Sequence, residues 1–245
     1  MRRALVTSAL IELREHLLAT PLPAIALTLA AYLAGMRLFQ RLGRPSWCPP
    51  VLIGALLTAS ALWLLAIDYV DYRRGAGWLM LLLGPATVAL GVPLYQQLPH
   101  IRALWRPILI SLPPAALLAA LYAVALAWAM GASHEVMASL APKSVTAPIA
   151  IGITEQLGGS IPLMMGGLLI TGVMATICVD LLARRFKIDD PRVLGFALGV
   201  NGHAIGTVRA FELGPAAGAF ASLGMSLTGI LSALLLPLAW RWFGL

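Results

Sequence analysis

The chain has 245 residues, 60% of them hydrophobic and 11% charged, with a mean hydropathy of +0.89. A soluble domain carries about a quarter charged residues, so this chain has too few to clothe a water-facing surface. The formal charge of +7, from 17 basic and 10 acidic residues, would suggest nucleic acid in a soluble protein; at this hydropathy it reads as the basic excess of cytoplasmic loops, and nucleic acid is excluded as a partner.

The expected fold class is all-α, a polytopic membrane bundle of about 7–8 segments with discontinuous or re-entrant pieces. Arg2 and Arg3 open a short apolar run broken by Glu12, Arg14, Glu15 and His16, which no cleavage site follows. That argues against a signal peptide. Residues 1–21 are expected as an interfacial helix that Pro21 and Pro23 end, and residues 22–245 as the membrane domain.

Apolar stretches then follow at residues 22–36, 49–67, 76–98 and 107–130, where Pro113 and Pro114 are expected to bend the entry. Further stretches lie at 142–159, 162–183, 193–214 and 216–240. Cys48 and Cys178 each lie in an apolar run and read as buried free thiols. Loops 37–44, 100–106 and 184–192 carry basic excess and are assigned to the cytoplasm, which leaves 68–75 and 131–141 outside. Between residues 141 and 184 the crossing number must then be odd. Since 162–183 supplies one crossing, 142–159 is expected to enter and return, or to cross only as part of a broken helix.

Two internal echoes agree with interrupted segments. Leu83-Gly84-Pro85-Ala86-Thr87 reads against Leu140-Ala141-Pro142-Lys143-Ser144, and Ala150-Ile151-Gly152 against Ala204-Ile205-Gly206. Interrupted apolar segments in corresponding positions are a mark of secondary transporters.

Irregular backbone survives at membrane depth only when it is buried in protein or lines a wet cavity. Candidate chemistry therefore sits where Pro, Gly, Ser and Thr are dense. In Pro142-Lys143-Ser144-Val145-Thr146-Ala147-Pro148, a proline suits a helix start, Lys143 adds charge, and the hydroxyls of Ser144 and Thr146 can donate to a carboxylate. Alone, Lys143 also reads as an interfacial snorkelling residue. Glu155 is costly within a membrane segment and suits a partner or an aqueous path.

In the second concentration, Asn201, His203 and Thr207 share one face if the segment is helical, while Gly202 and Gly206 permit close approach. Arg209 is read either as a charge for the site or as the partner of Glu212, three residues on. His203 suits proton coupling, as does Glu155. The supports of the broken segments are Pro85, Thr87, Pro142, Pro148, Gly202 and Gly206. There is no metal-ligand spacing, phosphate loop or nucleophile elbow, so neither an enzyme nor a cofactor is expected.

These motifs resemble the LrgB/CidB family. The likeness rests on residues 83–90 with Pro93-Leu94-Tyr95, on Pro142-Lys143-Ser144-Val145-Thr146 through Ala150, and on Glu155 with Leu157-Gly158-Gly159. It continues through Ile170-Thr171-Gly172, residues 195–199, His203-Ala204-Ile205-Gly206-Thr207 and Glu212-Leu213-Gly214, covering about residues 22–238 in order. Two features depart from the pattern: a longer N-terminus, and Val179-Asp180 where Gly-Pro is common.

The resemblance implies a multi-pass protein of the bacterial inner membrane with one of two functions. One is a carrier of small carboxylates of the pyruvate, glycolate or glycerate class, as in plastid relatives that move glycolate and glycerate. The other is a holin-like or antiholin-like subunit controlling murein hydrolase export and lysis, with a small LrgA/CidA-like partner. The carrier reading is preferred because fixed polar groups in broken segments exceed what a lesion-forming bundle needs. Substrate contacts are then expected from Lys143, Ser144, Thr146, Asn201, His203, Thr207 and Arg209, in a homodimer surrounded by lipid.

Overall fold

A computed structural model describes residues 20–89 and 91–242, apart from the side chains of Leu83, Thr87, Pro93 and Leu94. The expected N-terminal interfacial helix lies almost wholly outside the described residues. All regular elements among the described residues are helices. Four of them are long and apolar enough to cross a membrane: Leu22–Arg41, Trp105–Ala129, Ile161–Phe186 and Pro215–Trp242. Pro50–Leu64 is apolar but shorter.

The chain divides into two compact units, residues 1–89 and 90–245. In the first, α1 (Leu22–Arg41) packs on α2 (Pro50–Leu64) through two glycines. A methyl group at Gly35 would lie 2.8 Å from the Pro50 carbonyl oxygen, and one at Gly54 would lie 3.2 Å from the Tyr32 Cα. Such absent side chains let membrane helices approach closely. The short α3 (Tyr69–Ala76) is capped by Asp68, whose carboxylate accepts from the Val70 amide at 2.7 Å.

The expected span at 76–98 is corrected. It is a run of short pieces: a 3-10 turn at Gly77–Leu82, α4 (Leu83–Ala89) and, in the second unit, α5 (Gly91–Gln96). Gly77, Gly84 and Gly91, with Pro85 and Pro93, place a weak helix former or a breaker in every piece. Both cysteines are free, but Cys48 is half-buried and Cys178 exposed, so the expectation of burial is also corrected.

In the second unit α6 (Leu98–Ala103) leads into α7 (Trp105–Ala129), which continues through Pro113 and Pro114. After a turn comes α8 (His134–Leu140), then α9 (Ala147–Leu157) and α10 (Ile161–Phe186). The excursion formed by α8 and α9 closes on itself. The Ser160 amide donates to Ser139 Oγ at 2.7 Å, and a methyl group at Gly159 would lie 2.8 Å from the Ser139 nitrogen. At 11 residues α9 is about 16 Å long, roughly half a hydrocarbon core.

The next element, α11 (Pro191–Leu213), is broken at His203, whose φ of 41° and ψ of −131° are not helical. The chain therefore folds back at His203 as two helical limbs. Gly206 lies against the Leu198 carbonyl, eight positions back. In a continuous helix those residues would be about 12 Å apart along the axis. The outgoing limb, residues 191–202, also packs through Gly195 and Gly199 on the backbone of Ala217 and Ala221 in α12 (Pro215–Trp242).

Each excursion has its own buried cluster, the second formed by Leu198 and Ala210 with Ala217 and Ala221 of α12. Met137, Ala138, Val145, Ile153, Leu157, Met164 and Leu168 cluster around the first, with Trp240 of α12. Trp240 Nε1 donates to His134 Nε2 at 3.1 Å, which brings the end of α12 to the start of α8.

Candidate functional site

Lys143 and Ser144 sit in the turn joining α8 to α9, where Pro142, buried and lacking an amide hydrogen, follows the last turn of α8. Both are 6% exposed. Lys143 Nζ donates to Tyr122 Oη at 2.6 Å and to Ser144 Oγ at 3.1 Å, and it lies 4.2 Å from the Tyr122 ring centre. Among the described residues no carboxylate pairs with it.

His203 comes from the opposite direction and is 1% exposed. Its Nε2 is 2.9 Å from the Leu168 carbonyl oxygen, and its Nδ1 is buried with no hydrogen-bond partner. If Nε2 carries the proton that carbonyl accepts, and Nδ1 is left as an acceptor; protonation makes Nδ1 a donor. The Lys143 turn packs beside the same place, since a methyl group at Gly167 would lie 3.8 Å from Lys143 Cβ. Gly172, one turn beyond Leu168, leaves room for the imidazole: a methyl there would meet His203 Cε1 at 2.9 Å.

The structure thus brings Lys143 and His203 to neighbouring residues of α10, with Ser144 held by the Lys143 amine. Thr207 is buried nearby, its hydroxyl donating to the His203 carbonyl at 2.8 Å and lying 3.6 Å from Met225 Sδ. Thr146 precedes α9 without a side-chain cap bond. Gly202 is buried beside Ala175, and Pro148 is an exposed residue of the first turn of α9.

Other expected residues stand apart. The shared face for Asn201, His203 and Thr207 is corrected, because the break at His203 separates them. Asn201 is exposed, its amide donating to the Ala197 carbonyl at 3.0 Å. Glu155 is exposed near the end of α9. Arg209 is engaged twice, with Glu212 at 2.8 Å and with Asp180 of α10 at 2.9 Å. Asp180, the acidic residue noted in sequence as a departure, has this guanidinium as its partner. Pro85 and Thr87 belong to α4 in the other unit, and the Thr87 side chain is outside the described residues.

Tyr122 was not singled out in the sequence. It is 56% exposed on α7, and only tertiary contact brings it to the Lys143 amine. A tyrosine inside an apolar helix carries a hydroxyl that needs a partner, which was the available signal.

At the α10–α11 connection, Asp190 caps α11 through the Arg192 amide at 2.9 Å and pairs with the Arg192 guanidinium at 2.6 Å. The Arg192 side-chain hydrogen bond, then its backbone amide, holds the Asp190 carboxyl down at about 2.

Span-length helices and buried polar groups at helix interruptions define a multi-pass membrane protein. Comparison with known proteins gives the family. The LrgB-like family matches residues 28–242, and this chain belongs to it, as a multi-pass protein of the bacterial membrane. The chain is 36% identical over 214 residues to the uncharacterized protein YxaC of Bacillus subtilis, covering 87% of this chain and 93% of that one. It is 30% identical over 213 residues to the holin-like protein CidB of Staphylococcus aureus, covering 87% and 93%. It is 27% identical over 225 residues to the antiholin-like protein LrgB of Bacillus cereus, covering 92% and 98%. No solved structure matches.

Proposed function

We propose that this protein is a membrane carrier of small carboxylates, of the pyruvate, glycolate or glycerate class, with its anion site between Lys143, Ser144 and His203. The observation that carries the reading is a buried ammonium without a carboxylate, beside a buried imidazole nitrogen without a partner, among the described residues. Burying an unpaired charge costs several kcal/mol, and an unsatisfied buried polar atom about 1–3 kcal/mol. A carboxylate entering here removes both penalties, since one oxygen accepts a hydrogen bond from the Lys143 ammonium and the other accepts from protonated His203 Nδ1 or the Ser144 hydroxyl. Proton coupling belongs to His203 in this reading, because Glu155 is exposed. The carrier domain is residues 22–245, and the functional form is a homodimer.

A second reading has its own support. Relatives carry the names holin-like CidB and antiholin-like LrgB, which favour a regulatory or pore-forming subunit acting on murein hydrolase export with a small LrgA/CidA-like partner. Geometry favours the carrier, because a lesion needs associating helices and no buried fixed cation. Proteoliposomes loaded with a self-quenching dye and offered labelled pyruvate, glycolate and glycerate separate the two. Saturable uptake with the dye retained supports the carrier; dye release without saturable uptake supports the holin-like reading.

A further inference from the structure

Two excursions and two spans in the second unit repeat in order. Residues 134–160 form an excursion followed by α10, and residues 191–214 form an excursion followed by α12. The two blocks, 134–186 and 191–242, are of nearly equal length. Their returning limbs end alike: Glu155 and Leu157 precede Gly158 at φ 75°, and Glu212 and Leu213 precede Gly214 at φ 141°. Each glycine is followed by a span with proline at its start, Pro162 and Pro215. The echo of Ala150-Ile151-Gly152 in Ala204-Ile205-Gly206 falls on the returning limbs.

The blocks run in opposite senses. α10 starts beside Ser139, whereas α12 ends beside His134, through the Ser160–Ser139 and Trp240–His134 bonds. The limb 191–202 starts from the far end of α10 and reaches back only to the level of Leu168. At about 18 Å for such a limb, it stops near mid-depth of a 30 Å core. The Lys143 turn meets it there from the other side.

The excursions differ in how they are fastened. The second is tied to α10 by the Arg209–Asp180 ion pair, with Glu212 completing a cluster whose side chains are mostly buried. At the matching place in the first, Glu155 has no ion pair among the described residues, and closure rests on the neutral Ser160–Ser139 bond.

We propose that residues 134–186 and 191–242 are an inverted repeat whose two hairpins gate one site from opposite membrane faces. At rest the 191–214 hairpin is latched by Arg209, and the 134–160 hairpin is the gate that opens. This rests on the carrier reading for the existence of cargo, but not for its geometry.

The test uses full-length protein in oriented vesicles, with Cys48→Ser and Cys178→Ser, and Ser144→Cys as the reporter. An impermeant maleimide is added from one face at a time. Labelling is expected from the face of residues 131–134, and oxidising an added Ser139→Cys/Ser160→Cys pair should slow it about tenfold or more, reversibly with reductant. Asp180→Asn, which breaks the tie of Arg209 to α10 and leaves its pair with Glu212, should raise labelling from the opposite face. Equal labelling from both faces, or sidedness unmoved by Asp180→Asn in protein that elutes as a single species, overturns the proposal. Should the cysteine pair fail to fold, the Asp180→Asn arm decides alone. Sidedness that switches without carboxylate uptake retires the carrier reading and keeps the two gates, whereas uptake without sidedness does the reverse.

Discussion

Lys143 and His203 belong to different hairpins yet touch neighbouring residues of one helix. The Lys143 Cβ lies 3.8 Å from the place of a Gly167 methyl, and His203 Nε2 lies 2.9 Å from the Leu168 carbonyl oxygen. α10 is therefore the wall against which two distant motifs lie, and in the carrier reading changes at either motif have separable consequences.

Replacing Lys143 with Met removes the ammonium of the cluster and leaves Tyr122 and Ser144 without this donor. A hydrogen bond to a charged group is worth about 1.5–3 kcal/mol, so the carboxylate concentration giving half-maximal uptake should rise about tenfold to a hundredfold. Lys143→Arg should recover part of the loss. Initial-rate uptake across a substrate series checks this; unchanged half-saturation in Lys143→Met would remove Lys143 from the site.

His203 tests backbone and side chain separately. Its φ of 41° is in a region that costs a non-glycine residue of order 1–3 kcal/mol. His203→Gly and His203→Ala should both abolish uptake, but the glycine variant should be the more stable by about 1 kcal/mol, since it tolerates the fold-back. Thermal unfolding in detergent measures the difference. An alanine variant as stable as the glycine one would mean that this backbone carries no strain.

The hairpin itself depends on Gly206, which lies against the Leu198 carbonyl, and on Gly199, which lies against Ala221. Any side chain there meets backbone that cannot swing away. Gly206→Leu and Gly199→Leu should give protein that aggregates on size exclusion, whereas Gly166→Ala, with open space around it, should elute as the parent does.

Acid should loosen the start of α11. The Asp190 carboxyl is held at about 2, below its ordinary 3.8, by the Arg192 hydrogen bond. A depressed folded value means that the stabilisation is complete above 3.8 and is lost as pH falls from there through about 2. Asp190→Asn keeps an acceptor for the Arg192 amide but drops the charge, so its thermal midpoint should vary less with pH in that window. The same acid slope in parent and variant would exclude Asp190 as the source.

Much of this was legible in the residues. Hydropathy marks the spans because an apolar helix of sufficient length has few other solvents. Loop charge and parity lead to the expectation of an odd crossing number between residues 141 and 184; the described structure there is the short α9, then the span-length α10, with the Ser160 amide bonded to Ser139 of α8. The run at 142–148 was visible because proline, lysine and hydroxyls together are poor lipid-facing residues. What periodicity could not supply was the direction of the chain after His203: a helical pattern reads the same whether the axis continues or reverses. Helical reading therefore grouped Asn201, His203 and Thr207, and missed Tyr122. Those relations were decided only by tertiary packing, where glycines at 195, 199 and 206 let backbones meet and a buried lysine found its partner on another helix. The sequence by itself determined the solvent and the residues too polar to face it; the fold decided which of them face one another.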